Sequence, residues 1–214
     1  MKLQVAIDLL DRESALRLAG EVRQYADIIE IGTPLIKSEG LDVVRAVKSA
    51  FPEIPVLADM KTADTGELEA RLALDAGADL IGVLGTAGNA TIRGAIKAAR
   101  ERNKAVVVDL ISVPDKISRA REVIGFGADL VEFHSSADER DSPEFDFAGL
   151  LDEAVRSGVR FSFASGVDRS TVAAVQAAGA EIAVIGGAIY QSTDPAATIR
   201  ELRSLAGLSE YRTA

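Results

Sequence analysis

The sequence predicts an α/β protein of one domain, folded as a (β/α)8 barrel of the TIM type. Eight apolar segments of strand length alternate with helical patterns along the 214 residues. These segments begin near Leu3, Asp27, Pro55, Leu80, Ala105, Leu130, Arg160 and Ile182. Eight evenly spaced units in a chain of this length match the short end of the barrel range, and they fit a doubly wound sheet less well.

One sequence phrase occurs three times, in residues 76–81, 126–131 and 178–183, and its copies start 50 and 52 residues apart. Each copy has glycine at its second position, follows an alanine-rich segment and precedes an apolar run. Glycine at such a place is typical of a helix end, and the apolar run is typical of a buried parallel strand. The phrase therefore predicts a repeated joint between a helix and the next strand.

The composition favours one compact domain over residues 1–214, with a short C-terminal tail at residues 207–214. The chain is 48% hydrophobic and 27% charged, and its net charge of -9 argues against a nucleic-acid surface. It contains no cysteine, which excludes disulfides, thiolate metal sites and cysteine nucleophiles. No signal-peptide pattern is present, and no apolar run approaches the ~20 residues of a membrane helix, so we expect a soluble, cytoplasmic protein.

The ends of the predicted strands carry a chemically biased set of residues. In chain order they are Asp8, Glu30, Asp59 with Lys61, Gly85 with Thr86, Asp109, His134, Ser165 with Gly166, and Gly186 with Gly187. All strand ends of a barrel meet on one rim, which is where such folds keep their active sites. The sequence therefore predicts a site in which carboxylates meet a lysine and the single histidine.

The segment 57–66 is the most informative of these strand ends. Alternation along the strand places Asp59 and Lys61 on one face, and Asp64 follows in the turn before the next helix. A Lys61 between two carboxylates is expected to stay cationic, which suits an electrophile or hydrogen-bond donor better than a Schiff base. The simpler interpretation is a group of solvated loop charges that pair with each other.

Glu30 and Asp59 are the predicted ligands of a metal ion. They offer oxygen donors at neighbouring strand ends, without sulfur and with little nitrogen nearby, which suits Mg2+ or Mn2+ better than zinc. The alternative is that Glu30 only pairs with Lys61. His134 is the predicted proton carrier because its unperturbed pKa lies near 6.5, although a single histidine is often structural.

Two glycine loops follow the seventh and eighth predicted strands, at Gly166 and at Gly186 with Gly187. Many barrels bind phosphate at this place through backbone N–H groups, and the alternative is a pair of tight turns. Together with the charged rim, these loops predict a phosphorylated small molecule whose reacting end forms an enediolate beside the cation.

Five segments also resemble a known family. They are KLQVAIDL at 2–9, IEIGTPLI at 29–36, ADMKTAD at 58–64, VLGT at 83–86 and GGAIY at 186–190. These motifs resemble the 3-hexulose-6-phosphate synthases, a family of the orotidine-monophosphate-decarboxylase-like barrels, and the likeness runs from Met1 to about Leu205. The resemblance implies a lyase of the aldolase type in one-carbon and carbohydrate metabolism, the ribulose monophosphate pathway. It adds formaldehyde to D-ribulose 5-phosphate and gives D-arabino-hex-3-ulose 6-phosphate.

The resemblance also implies roles for individual residues. Glu30 and Asp59 would hold Mg2+, and His134 would move the proton at C1. Asp8, Lys61 and Asp64 would hold sugar hydroxyls and polarise the reacting end. Such barrels usually form homodimers in which Asp64 is shared between the subunits.

Two other functions stay open. The sister decarboxylase of 3-keto-L-gulonate 6-phosphate has the same acidic and basic set, but it carries arginines where this chain has Ala137 and Gly187. A non-catalytic sugar-phosphate-binding barrel is the other, and the intact rim disfavours it. The chain departs from the synthase pattern at residues 135–140, at Ser165 and at Thr65, and the polar segment 135–147 is either a lid over the rim or a plain surface loop.

Overall fold

A closed barrel of eight parallel strands forms the centre of the computed structural model, which describes residues 1–140, 142–143 and 145–212. The strands are β1 (Lys2–Ile7), β2 (Ile28–Ile31), β3 (Val56–Thr62), β4 (Leu80–Leu84), β5 (Ala105–Asp109), β6 (Leu130–His134), β7 (Phe161–Ala164) and β8 (Ile182–Ile185). Each strand pairs with its neighbours in sequence, and β1 also pairs with β8, with Gln4 opposite Val184. The predicted barrel and its eight strand positions are confirmed.

Helices connect the strands and cover the outside of the barrel. They are α1 (Arg12–Val22), α2 (Thr33–Glu39), α3 (Asp42–Ala50), α4 (Gly66–Asp75), α5 (Asn89–Arg100), α6 (Lys116–Phe126), α7 (Ala137–Arg140), α8 (Phe147–Ser157), α9 (Val172–Ala177), α10 (Gly187–Tyr190) and α11 (Pro195–Leu205). Aspartates begin several of them, since the side chains of Asp11, Asp115, Asp146 and Asp194 accept hydrogen bonds from backbone N–H groups of the first turn. Residues 141 and 144 lie outside the described part, so the lid over the rim stays a prediction.

The repeated phrase has the predicted structure. Its glycines Gly77, Gly127 and Gly179 have φ angles of 103°, 100° and 83°, a left-handed conformation that ends a helix without the strain of a side chain. The acidic residue two places later has a second role. Asp79 accepts a hydrogen bond from the Val56 N–H at 3.0 Å, and Asp129 accepts one from the Val106 N–H at 2.8 Å. Each phrase therefore also fixes the start of the preceding strand.

Two separate apolar cores hold the barrel. The larger lies between the strands and the helices and includes Phe133, Phe163 and Ile29. The smaller is formed by residues two or four places before the charged strand ends, so it lies inside the barrel beneath the rim. Its buried members are Ala6, Ile28, Leu57, Val107, Leu130, Ala164, Ile182 and Val184. The polar rim therefore rests on a packed floor, and its charges lie in a poorly solvated place.

The C-terminal tail packs against the barrel end opposite the rim. The Arg203 guanidinium donates to the Ser209 carbonyl at 2.6 Å and pairs with Asp27 at 2.9 Å. The ring of Tyr211 stacks on that of Tyr25, with 5.5 Å between the centroids. Residues 213 and 214 of the predicted tail lie outside the described part. Among the residues that the structure describes, no helix has the length and apolar character that a membrane crossing requires.

Candidate active site

Four neighbouring strand ends bring charged side chains together on the rim. They are Glu30 in β2, Asp59 and Lys61 in β3, Asp109 at the end of β5, and Glu132 and His134 in β6. All four carboxylate residues are buried. They carry more negative charge than Lys61 alone can balance, so this part of the rim is a cation-binding environment.

Asp109 connects the basic groups of the cluster. Its Oδ2 atom lies 2.7 Å from Nζ of Lys61 and 3.0 Å from Nδ1 of His134. Its Oδ1 atom accepts a hydrogen bond from the Ile111 N–H at 2.8 Å. Burial alone would raise the pKa of Asp109, but the charges of His134 and Lys61 outweigh burial and lower it to about 2. Asp109 is therefore ionised at neutral pH.

Lys61 lies between two carboxylates, because its Nζ atom is also 3.1 Å from Oδ2 of Asp59. Burial would lower the pKa of Lys61, but Asp59 and then Asp109 raise it above its usual value, so the amine is cationic. The backbone of Lys61 has φ 44°, and the pairing of β3 with β4 shifts register between Ala58 and Thr62. This local strain bends the end of β3 and directs the lysine into the cluster.

His134 and Glu132 lie on the same face of β6. The pKa of His134 would be lowered by burial, but the Asp109 carboxylate raises it above the usual value. Burial and the charge of Asp109 raise the pKa of Glu132 to about 7. One ligand atom from each of Asp109, Glu132 and His134 lies within 4.8 Å of the others, an arrangement compatible with a divalent cation.

Glu30 and Asp59 each have a buried hydrogen-bond donor. The Gln4 side-chain amide donates to Oε2 of Glu30 at 2.6 Å, and the Thr33 hydroxyl lies 2.7 Å from Oδ2 of Asp59. Burial, followed by the charges of Asp59 and Glu132, holds the pKa of Glu30 well above its usual range. The Glu30 carboxylate therefore lacks a positive partner strong enough to offset its neighbours.

The other predicted site residues lie around this cluster. A side chain at Gly32 or Gly186 would meet Asp8, whose Oδ1 is 2.0 Å from the Cβ position of Gly32 and whose Oδ2 is 3.5 Å from that of Gly186. Asp8 thus lies between the end of β2 and the glycine loop after β8. Gly166 has φ 57° and Gly187 begins α10. Asp64 is exposed, in contrast to the cluster, and its Oδ1 accepts a hydrogen bond from the Thr65 N–H at 2.7 Å.

Sequence reasoning assigned no role to three residues of the cluster. Asp109 was placed on the rim without a partner, and Glu132 and Gln4 were not singled out. A signal was present for both of the latter, because Glu132 is two residues before His134 and Gln4 is four residues before Asp8, so each shares a strand face with a rim residue.

Comparison with known proteins gives consistent results. The model of the family described as "Orotidine 5'-phosphate decarboxylase / HUMPS family" matches residues 1–202. The chain is 59% identical over 204 residues to a 3-hexulose-6-phosphate synthase from Mycobacterium gastri, covering 95% of this chain and 99% of that protein. A crystal structure of a 3-hexulose-6-phosphate synthase superposes with a TM-score of 0.95 at 58% identity, covering 98% of this chain and all of that one. The structure of KGPDC from Streptococcus mutans in complex with a sugar phosphate has a TM-score of 0.91 at 25% identity, covering 96% of this chain and 97% of that one.

Proposed function

Since this chain belongs to the orotidine 5'-phosphate decarboxylase / HUMPS family, we propose that it is an enzyme with 3-hexulose-6-phosphate synthase activity. It adds formaldehyde to D-ribulose 5-phosphate and gives D-arabino-hex-3-ulose 6-phosphate. The observation that carries this proposal is the 59% identity to a synthase over 95% of the chain. In the reaction, C1 of the sugar loses a proton, the resulting enediolate forms a carbon–carbon bond with formaldehyde, and the formaldehyde oxygen takes up a proton.

His134 is the proposed base for the C1 proton. Its Nδ1 atom lies 3.0 Å from the ionised Asp109, which favours the tautomer that carries a proton on Nδ1. The lone pair on Nε2 is then available to accept the proton from C1. The Asp109 carboxylate also stabilises the imidazolium that results, in the same way as the acidic residue of a catalytic triad.

Lys61 is the proposed donor to the sugar oxygen that gains negative charge. Its ammonium is held by Asp59 and Asp109 and stays cationic, as its raised pKa indicates. A charged amine is a poor nucleophile, so this environment supports an electrostatic role and disfavours covalent catalysis.

Glu30 and Asp59 are the proposed ligands of Mg2+ or Mn2+. The donor set fits such an ion, because buried carboxylate oxygens without a balancing cation are what a hard divalent ion requires. The alternative group of Asp109, Glu132 and His134 suits it less well, since Asp109 already contacts Lys61 and His134. When bound, the cation would stabilise the negative charge that develops on neighbouring sugar oxygens.

The glycine loops after β7 and β8 are the proposed phosphate site. Gly166 and Gly187 leave the backbone open, because a Cβ at Gly166 would meet nothing within 4 Å and one at Gly187 would meet only the Gln191 side chain, at 3.7 Å. Asp8 lies beside the second loop and is the proposed ligand of a sugar hydroxyl. The ligand of the Streptococcus mutans structure supports a sugar phosphate as the substrate class.

A homodimer is the proposed assembly. Leu68 and Leu72 lie one turn apart on α4 and are 59% and 49% exposed, directly after the exposed Asp64. An apolar stripe at this place suits a subunit interface, and it would carry Asp64 towards the partner's rim. Sedimentation equilibrium of the wild type and of Leu68→Asp tests this assembly, with a monomeric wild type as the opposing outcome.

The activity is tested by following formaldehyde consumption with ribulose 5-phosphate, in Mg2+ and in EDTA. Carbon dioxide release from 3-keto-L-gulonate 6-phosphate is measured in parallel, because the similarity to the Streptococcus mutans protein makes decarboxylation the second candidate. We expect metal-dependent formaldehyde loss with little carbon dioxide. Glu30→Gln should lose this metal dependence, and full activity in that variant contradicts the metal assignment. Inactivity of the wild type in both assays points to another substrate or to a non-catalytic barrel.

A further inference from the structure

A guanidinium on α6 holds the loop that follows β4. The Arg119 side chain donates from Nε to the Gly85 carbonyl at 2.7 Å and from Nη2 to the Ala87 carbonyl at 2.8 Å. Its Nη1 atom contacts Asn89 Oδ1 at 2.6 Å and also pairs with Glu122. The side chain is 15% exposed, so these interactions lie in a largely desolvated place and fix the loop strongly.

Gly85 transmits this restraint to the active site. Its N–H donates to the Asp109 carbonyl at 2.6 Å. The Cβ position of Gly85 lies 3.0 Å from the same carbonyl oxygen and 3.0 Å from Cδ2 of Leu110, so the two backbones are in close contact. A displacement of Gly85 therefore has to displace the end of β5, where the Asp109 carboxylate contacts Lys61 and His134.

We propose that Arg119 is a positioning residue for the reaction, which acts on Asp109 through the backbone of Gly85. Arg119 touches neither the acidic cluster nor the glycine loops proposed for phosphate, so its effect is on geometry. A misplaced catalytic group lowers the rate of the chemical step more than it lowers substrate affinity. The kinetic part of the test rests on the proposed function.

The same helix provides a matched control. Arg121 donates to the carbonyls of Ser157 and Arg156, both at 2.9 Å, at the end of α8 that leads into the start of β7, far from the rim. We expect Arg119→Met to lower kcat about tenfold, with KM for ribulose 5-phosphate within about twofold of wild type. Arg121→Met should leave both constants within about twofold. A kcat of Arg119→Met that equals that of Arg121→Met overturns the proposal.

A double-mutant cycle tests the route through Asp109. In an Asp109→Asn background, Arg119→Met should change kcat by less than about twofold, because the positioned group is already altered. A full tenfold loss in that background shows that Arg119 acts elsewhere, and it overturns the proposal. Gly85→Ala should lower kcat with Arg119 intact, and it replaces Arg119→Met if that variant fails to fold. An unchanged kcat in Gly85→Ala also overturns the route.

A spectroscopic measurement separates this inference from the proposed function. The chain has one histidine, so the ring signals of His134 in a proton–carbon NMR spectrum need no assignment. These signals should shift in Arg119→Met and Gly85→Ala and stay in place in Arg121→Met, whether or not the enzyme uses formaldehyde. Unchanged His134 signals in both rim variants overturn the proposal.

Discussion

Lys61 and Asp109 form a buried ion pair, with 2.7 Å between Nζ and Oδ2. The same carboxylate contacts the imidazole of His134 at 3.0 Å. The proposed proton carrier and the proposed electrostatic donor are thus joined by one residue, and each depends on its ionisation. Removing the charge of Asp109 alters both groups at once, whereas removing either basic group leaves the other paired.

Asp109→Asn is therefore expected to lower kcat about 100-fold, because His134 loses its orienting carboxylate and Lys61 loses its closer partner. Steady-state kinetics with ribulose 5-phosphate and formaldehyde measure this loss. Asp129→Asn is the control, since Asp129 caps the start of β5 at the opposite end of the barrel. An Asp109→Asn variant with more than half of the wild-type kcat would show that the connection is not used.

Gln4→Leu is expected to weaken Mg2+ binding about tenfold, because the amide that holds Oε2 of Glu30 at 2.6 Å is lost. Isothermal titration calorimetry of the substrate-free protein measures this directly. Ser162→Ala is the matched control, since Ser162 contacts Oε2 of Glu132 at 3.1 Å on the other side of the barrel. Equal Mg2+ affinity of the two variants contradicts the assignment of Glu30 as a ligand.

The strand positions were predictable because parallel strands buried on both faces are nearly continuous apolar runs, and glycine marks the helix ends between them. The rim residues followed from counting strand ends. The contact of Lys61 with Asp59 also agrees with simple alternation, although φ at Lys61 is 44°. Alternation predicts which face a residue shares, and the left-handed turn then sets how far the side chain reaches.

The partners of the rim residues could not be predicted in the same way. The contact of Asp109 with Lys61 depends on the shear of the barrel and on the bend at the end of β3, which no local pattern encodes. The hydrogen bond from Thr33 to Asp59 likewise joins α2 to β3 across 26 residues. Strand order gives neighbourhood, and side-chain geometry requires the three-dimensional packing.

Glu132→Gln is expected to change the pH dependence of stability. The Glu132 pKa rises from 4.5 to about 7 on folding, so between these pH values the folded state binds more protons than the unfolded state. Stability of the wild type therefore falls as pH rises through this window and then levels off, and glutamine removes that fall. In EDTA, urea unfolding should show Glu132→Gln gaining about 2 kcal/mol on the wild type between pH 4 and pH 8. A difference that is constant with pH contradicts this prediction.

Arg203→Met is expected to destabilise the fold by about 3 kcal/mol, because it leaves the buried Asp27 carboxylate without its cation. The Arg203 side chain is 3% exposed, and it also holds the Tyr25 carbonyl at 2.7 Å. Arg200→Met is the control on the same helix, since the Arg200 pair with Glu210 is half exposed and is worth about 1 kcal/mol or less. Urea unfolding measures both variants, and kcat should stay unchanged because Asp27 lies at the barrel end opposite the rim. Equal destabilisation by the two variants would show that burial of the Asp27 pair is not what stabilises this end of the barrel.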